Sequence, residues 1–340
     1  MSAGSKVRSN PVREALSKTP QGSRQQETAC RALGLEDFAL LFGVSVDSLP
    51  EYCRALIAAG DFRYRVLAGE ERDQVLLEVL KQIDSGQFTT AGKEGKGRWE
   101  KGWAENLEDF RKSDRDLSKL VPKYIRPHQA VRLHQNYVMP LDPNFELKWY
   151  EIFQRWLFAT YFKEAKVVYE FGCGSGINLA ALAMLYPDKR YIGLDWAVAS
   201  KEIVNEMAQA YGWNMQGQLF DFFHPDESVK IEEDSVVFTL GALEQTGRDH
   251  EAFLQYLLGM SPWLCVNIEP IVEWYDENLL VDYAAIRFHK ARKYWEGFPA
   301  RLQELEREGR VEILEMKRSY FGSLYLEGYS QTIWRPKRRG

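Results

Sequence analysis

From residue 165 onward the chain alternates two hydrophobic periods, and that alternation restricts its fold more than any other feature. The short apolar runs KVVYEFG, RYIGLD, MQGQLFD, DSVVFTLG and WLCVNIE have the length and composition of strands. NLAALAMLYP, ASKEIVNEMAQAYG and DHEAFLQYLLGM carry helical spacing and lie between them. Parallel strands need a crossover to return the chain, usually a helix, so this order specifies a doubly wound α/β sheet. The last two runs, VEILEMKRSYFG and YSQTIWRP, are separated by GSLYLEG and suit an antiparallel hairpin that closes the sheet.

The remainder organises around this unit. With 340 residues, 45% of them hydrophobic, the chain can bury one large domain and a smaller one. Residues 1–27 are polar and basic, lack a signal-peptide core, and are expected to form a disordered tail. Residues 28–164 are expected to form a mainly helical N-terminal region and cap, with LEDFALLF and VLLEVLKQI as its helical repeats. Residues 85–104 are rich in glycine and lysine and read as a linker or a mobile loop over a site. Pro122, Pro127, Pro140 and Pro143 forbid one continuous helix in the segment that follows. FELKWYEIFQRWLFATYF then restores the helical pattern. Residues 165–336 form the main domain, with a helical insertion at about 277–308.

The turn after the first strand packs three glycines into five positions, in YEFGCGSGINL. A strand that turns sharply into a helix needs glycine, and the helix start presents free backbone N–H groups. A dinucleotide loop would read G-x-G-x-x-G, but Ile177 occupies the last glycine position. An acidic residue at the strand end followed by G-x-G-x-G, here Glu170, Gly172, Gly174 and Gly176, resembles the class I S-adenosylmethionine (SAM) methyltransferases. The resemblance covers residues 165–335 and implies a Rossmann-like seven-stranded fold with the seventh strand inserted antiparallel.

The resemblance also implies that the loop backbone, Cys173 included, contacts the amino-acid end of SAM, with Glu170 near its ammonium group. Asp195 ends the second strand and is expected to hold the ribose hydroxyls, with Trp196 along the adenine; its competing role is to cap the next helix. Asp221 and Phe222, after the third strand, match the adenine-binding positions. Gly241 and Ala242, after the fourth, let cofactor and substrate approach the backbone. The expected product is S-adenosylhomocysteine (SAH).

The acceptor is expected beyond the ends of strands four and five, because ligands of open α/β sheets lie outside the carboxyl ends of the strands. A hydroxyl acceptor is a poor nucleophile and gains from a base; Glu244 is the first candidate, Glu269 the second and His224 the third. Along residues 279–295, Leu280, Ala284, Phe288, Ala291 and Trp295 form an apolar stripe, and Tyr283, Arg287, Lys290 and Tyr294 form a polar edge beside it. That edge suits a polar or anionic acceptor, or is merely the border of a packed helix. His289 is expected to face solvent. Trp274 and Tyr275 are candidates for stacking on the acceptor, and Arg126, Arg132 and Tyr137 for binding it from the N-terminal cap. GRWEKGWAEN, LVPKYIRP and YEFGCGSGINL are similar to stretches of bacterial sugar O-methyltransferases.

Other classes are disfavoured. A net charge of −5 argues against a general nucleic-acid binder. Four scattered cysteines suggest neither a disulfide framework nor a zinc site, and point to a reducing cytoplasm. His128 and His134 have no third ligand in view, so no metal is expected. No apolar run reaches the length of a membrane span. The sequence predicts a methyltransferase for a small polar acceptor, with a homodimer allowed. Its rivals are a protein or peptide methyltransferase and a catalytically silent SAM-binding module.

Overall fold

The computed structural model describes residues 29–337; the tail expected over residues 1–27 lies outside the described residues. The N-terminal lobe comprises β1 (Arg31–Ala32), α1 (Leu35–Phe42), α2 (Glu51–Ala59), β2 (Arg63–Val66), α3 (Gly69–Asp84), α4 (Lys96–Lys112), β3 (Val131–Leu133), β4 (Asn136–Pro140) and α5 (Phe145–Tyr161). Helices alternate with short strands here, and the proline-bearing segment folds into the β3–β4 hairpin, turning at His134 and Gln135 with φ of 48° and 59°. β1, β2, β4 and β3 make an antiparallel sheet. Its strands are too short to show a period of two in the sequence.

The main domain runs β5 (Val167–Phe171), α6 (Ile177–Leu185), β6 (Arg190–Asp195), α7 (Val198–Tyr211), β7 (Met215–Leu219), β8 (Ser235–Leu240), α8 (Glu251–Met260) and β9 (Leu264–Glu269). The inserted helices α9 (Leu280–Arg292) and α10 (Phe298–Arg307) follow, then β10 (Val311–Lys317), β11 (Phe321–Gly322) and β12 (Ser330–Pro336). The sheet order is β10-β12-β9-β8-β5-β6-β7, with β12 antiparallel to both its neighbours. This is a Rossmann-like seven-stranded sheet with its last strand reversed, as the class I resemblance implies. β11 leaves it to pair with β3, so the connection inside the C-terminal hairpin completes the N-terminal sheet.

Both faces of the sheet are covered, which explains the near-continuous apolar runs of its strands. Val168, Val236, Phe238, Val266 and Ile268 face a core shared with the aromatic helix α5. Their neighbours Tyr169, Phe171, Val237 and Cys265 face the opposite core, with α8 and α10. α5 carries the buried rings of Trp149, Phe153 and Trp156, and Trp149 stacks on Phe321 of β11 at 3.9 Å between ring centroids. The two lobes therefore share one core across α5.

A buried ion network fastens the insertion. Asp282 of α9 accepts hydrogen bonds from Arg132 of β3 (3.0 Å) and from Arg318 (2.8 Å), and Arg318 also reaches Glu327 (2.7 Å). The Tyr275 ring lies between the two guanidinium groups, 5.6 and 4.9 Å from them. Two arginines and two carboxylates balance in charge, so removing one partner would leave a buried charge uncompensated.

Candidate active site

The chain begins the sheet at β5, moves outward through β6 and β7, and returns on the other side at β8. The C-terminal ends of β5 and β8 thus flank a topological switch point, where open α/β sheets form their crevice. Gly172 and Gly174 after β5 have φ of 71° and 52°, a left-handed region that L side chains rarely adopt. A Cβ on Gly172 would come within 2.3 Å of the Ala242 Cβ, and one on Gly174 within 2.6 Å of the Trp103 ring. Glycine is therefore required both by conformation and by close approach.

A cleft of about 50 Å³, open to solvent, lies at this point, walled by Gly172, Asp195, Trp196, Phe222 and Gly241, among others. These are five of the expected cofactor positions, brought together from four different strand ends. Asp195 Oδ2 accepts the Gly174 N–H at 2.9 Å, and Oδ1 accepts the Ala197 N–H at 2.9 Å. Burial raises its pKa to about 6, against the pull of these two N–H groups. The first N–H groups of α7, those of Val198 and Ala199, go instead to Glu100 (2.7 and 3.2 Å). Glu100 thus caps the helix, leaving Asp195 on the wall of the cleft. The Cys173 side chain packs into the core, and burial pushes its thiol pKa well up. Only its backbone faces the loop.

Glu170 is buried beneath the loop. Its Oε1 accepts from Asn178 Nδ2 at 2.6 Å, while Oε2 has no donor. Burial, chiefly, pushes its pKa well above the ordinary carboxylate range. Asp221 does not wall the cleft; its carboxylate accepts the Phe223 N–H at 2.9 Å, in the turn after β7. His224, on the same turn, is exposed, with Nδ1 3.8 Å from Asp221.

The other two base candidates meet. Glu269, fully buried, accepts N–H groups from Ala242 (3.1 Å), Leu243 (3.0 Å) and Glu244 (3.3 Å). Its pKa is pushed well up, first by burial and then by the charge of Glu244, to which it is also hydrogen-bonded. Glu244 Oε1 accepts from Gln245 Nε2 at 2.7 Å, and its buried Oε2 has no donor.

The expected acceptor edge on α9 divides. Lys290 and Tyr294 line a second cavity of about 550 Å³, together with Lys93 and Lys293. Arg287 instead pairs with Asp84 at 2.7 Å, and Tyr283 is exposed. His289 corrects the expectation of a solvated residue: it is fully buried, with Nε2 2.6 Å from the Trp295 carbonyl. Leu280, assigned to the buried stripe, is exposed because it opens the helix. Trp274 packs against the core and Tyr275 belongs to the ion network. Tyr137 is buried with no partner for its hydroxyl, and Arg126 is exposed.

Two contributors were missed in the sequence. Residues 96–112 form α4, neither a linker nor a loop, and its Trp99 and Trp103 stack (5.7 Å) and wall the cleft. Their W-x-x-x-W spacing, one helical turn, was the available signal. Arg111 anchors α4 to α7 through Glu202 at 2.9 Å and through Glu206. Phe223, stacked with Trp196 at 6.1 Å, is the second contributor.

No family model matches this chain, and no curated protein does. Among solved structures it is similar to the [4+2]-cyclase SpnF, at 11% identity and TM-score 0.43, covering 56% of this chain and 81% of that one. It is also similar to the plantazolicin methyltransferase BpumL in complex with SAH, at 11% identity and TM-score 0.38 (77% of this chain, 100% of that one). The small RNA methyltransferase HEN1 matches at 17% identity and TM-score 0.41 (60% of this chain, 28% of that one). These values are too low to bear on activity; the fold assignment rests on the strand order.

Proposed function

We propose that the protein is a SAM-dependent methyltransferase acting on an oxygen of a small polar acceptor, with a sugar as the leading class. The observation that carries this is the convergence of Gly172, Gly174, Asp195, Trp196, Phe222 and Gly241 at the switch point of the sheet. The residues fit the cofactor chemically. Glu170 Oε2 is a buried carboxylate oxygen with no donor, and an ammonium group would supply one. Asp195 still has lone pairs to offer to ribose hydroxyls, and Trp196, Phe222 and Phe223 give the adenine apolar, aromatic walls.

When bound, the cofactor supplies a methyl group already activated by its sulfonium. The chain's own task is to align the acceptor and receive its proton. Glu244 is assigned the second role, because its buried Oε2 has no donor and is free to accept a proton. Glu269 positions it, by holding the backbone of residues 242–244. Trp99 and Trp103 add apolar aromatic walls to the cleft.

The test is incubation with methyl-labelled SAM and the low-molecular-weight fraction of a cell extract. Label in small molecules is the expected result. Label confined to the macromolecular fraction would favour a protein or peptide acceptor, and cofactor binding without any transfer would leave a silent binding module.

A further inference from the structure

The cofactor cleft has a neighbour. The second cavity, of about 550 Å³, falls within the range of roughly 300–1,000 Å³ usual for small-molecule sites. Three connections build it: residues 91–94 before α4, residues 246–249 after β8, and residues 290–296 at the end of α9. Thr246 walls both spaces, and the Lys93 ammonium lies 5.4 Å from the ring centroid of Phe223, itself a wall of the cleft. Backbone hydrogen bonds fasten the other two connections to the turn that carries Glu244. Gly92 N–H donates to the Gln245 carbonyl at 2.8 Å, and Trp295 N–H to that of Glu244 at 3.0 Å. Cavity and cleft thus adjoin across this turn.

Four cations and three carboxylates line the cavity. Arg248 and Glu296 pair with each other at 2.6 Å. Lys93, Lys290 and Lys293 form no ion pair among the described residues, and neither do Glu94 and Asp249. An ammonium without a carboxylate at ion-pair distance is available to an incoming anion, and a free carboxylate to the hydroxyls of a sugar. Beside one wall lies a further positive charge. Arg292, only 6% exposed, places its guanidinium 5.0 Å from the ring centroid of Tyr294, which lines the cavity. Its Nε has no hydrogen-bond partner, and it forms no ion pair among the described residues. A buried charge of this kind is costly unless an anion compensates it. Lys293 ends α9 in the left-handed region (φ 53°, ψ 40°), where glycine is the usual residue, so a cationic side chain is kept over the cavity at a strained position.

We propose that this cavity receives the methyl acceptor, and that the acceptor carries an anionic substituent, a phosphate or a carboxylate, held by Lys93, Lys290 and Lys293. The inference rests on the proposed function, since the cavity is the acceptor site only if SAM fills the adjoining cleft. Anchored by its charge, the acceptor extends past Thr246 toward the cleft, where its reacting oxygen meets the methyl group. Glu94 and Asp249 accept hydrogen bonds from its other hydroxyls. Ammonium groups are point charges with rotatable donors, which suit the oxygens of either anion.

The test is calorimetric titration of the SAH-loaded protein with glucose 6-phosphate and glucuronate, against glucose and glucosamine. At least one anionic probe should bind ~10-fold or more tightly than glucose, a difference of about 1.4 kcal/mol, and glucosamine no more tightly than glucose. The stronger anion identifies the substituent as phosphate or carboxylate. The double variant Lys290→Gln/Lys293→Gly should lose the preference and keep its SAH affinity; glycine suits the left-handed backbone at 293, so the variant should fold. No binding of either anion, binding equal to that of glucose, preference for glucosamine, or an anion preference that survives in the double variant overturns the proposal. Failure of the wild-type protein to bind SAH, measured first, would instead overturn the proposed function.

Discussion

Replacing Glu146 by glutamine should stabilise the free protein at alkaline pH and leave it nearly unchanged in acid. Burial raises the Glu146 pKa from 4.5 to about 7, with a contact from Gln129 working weakly the other way. The folded state therefore binds this proton more tightly than the unfolded chain. That preference contributes stability in full below pH 4.5 and is lost as pH rises through 7. At about 1.4 kcal/mol per pKa unit, the wild-type protein loses on the order of 3 kcal/mol across that window from this one group. Glutamine has no proton to lose, so the variant should gain roughly that amount relative to wild type, or roughly 5 °C in melting temperature. The assay is thermal or urea denaturation of both proteins at pH 5 and pH 8, without ligand, so that titrations common to both cancel. If the difference between the two proteins is the same at both pH values, Glu146 is not a buried carboxyl without a counterion, and the reasoning fails.

Three further outcomes are expected. Asp195→Asn cannot accept both the Gly174 and Ala197 N–H groups, and should weaken SAH binding by about 10- to 100-fold in calorimetry, the worth of hydrogen bonds to a charged group. Because burial holds the Asp195 pKa at about 6 and the cofactor requires the carboxylate, wild-type SAH affinity should fall below pH 6 by up to about tenfold per pH unit, and that dependence should be absent in the variant. Gly172→Ala should cost more than the about 1–2 kcal/mol of its left-handed backbone, because its Cβ meets Ala242; Gly309→Ala, with φ of 73° and nothing within 4 Å, should cost only the backbone term when both are compared by urea denaturation. Asp282→Asn leaves Arg132 and Arg318 without a buried carboxylate between them and should lower stability by about 3–5 kcal/mol, seen as a reduced denaturation midpoint.

The parts of this fold that were legible in the sequence are those encoded locally. The β5 turn carries its own glycines, Asp195 follows directly from the end of β6, and strands buried on both faces show as unbroken apolar runs. The burial of Glu146 was not legible, because it sits on an aromatic helix whose pattern does not say which side packs inward. Only the packing of α5 on the sheet buries it. α4 was hidden by its glycines, whose weak helix propensity is overridden by tertiary anchors such as Arg111 on α7. On α9 Ala284 and Phe288 are buried as the stripe predicts, but spacing alone could not say that Leu280 is exposed, that Arg287 turns to Asp84, or that the chain folds back over His289 at Trp295. A polar edge fixes which residues are neighbours and leaves open what they face.

The central claim is that the glycine cleft holds SAM, and calorimetric titration of SAH into the wild-type protein at neutral pH tests it most directly. One site per chain is expected, with binding weakened by Asp195→Asn and lost in Gly172→Ala. No heat with SAH at protein concentrations that detect millimolar affinity, or saturable binding of a nicotinamide dinucleotide at the same cleft, would contradict it.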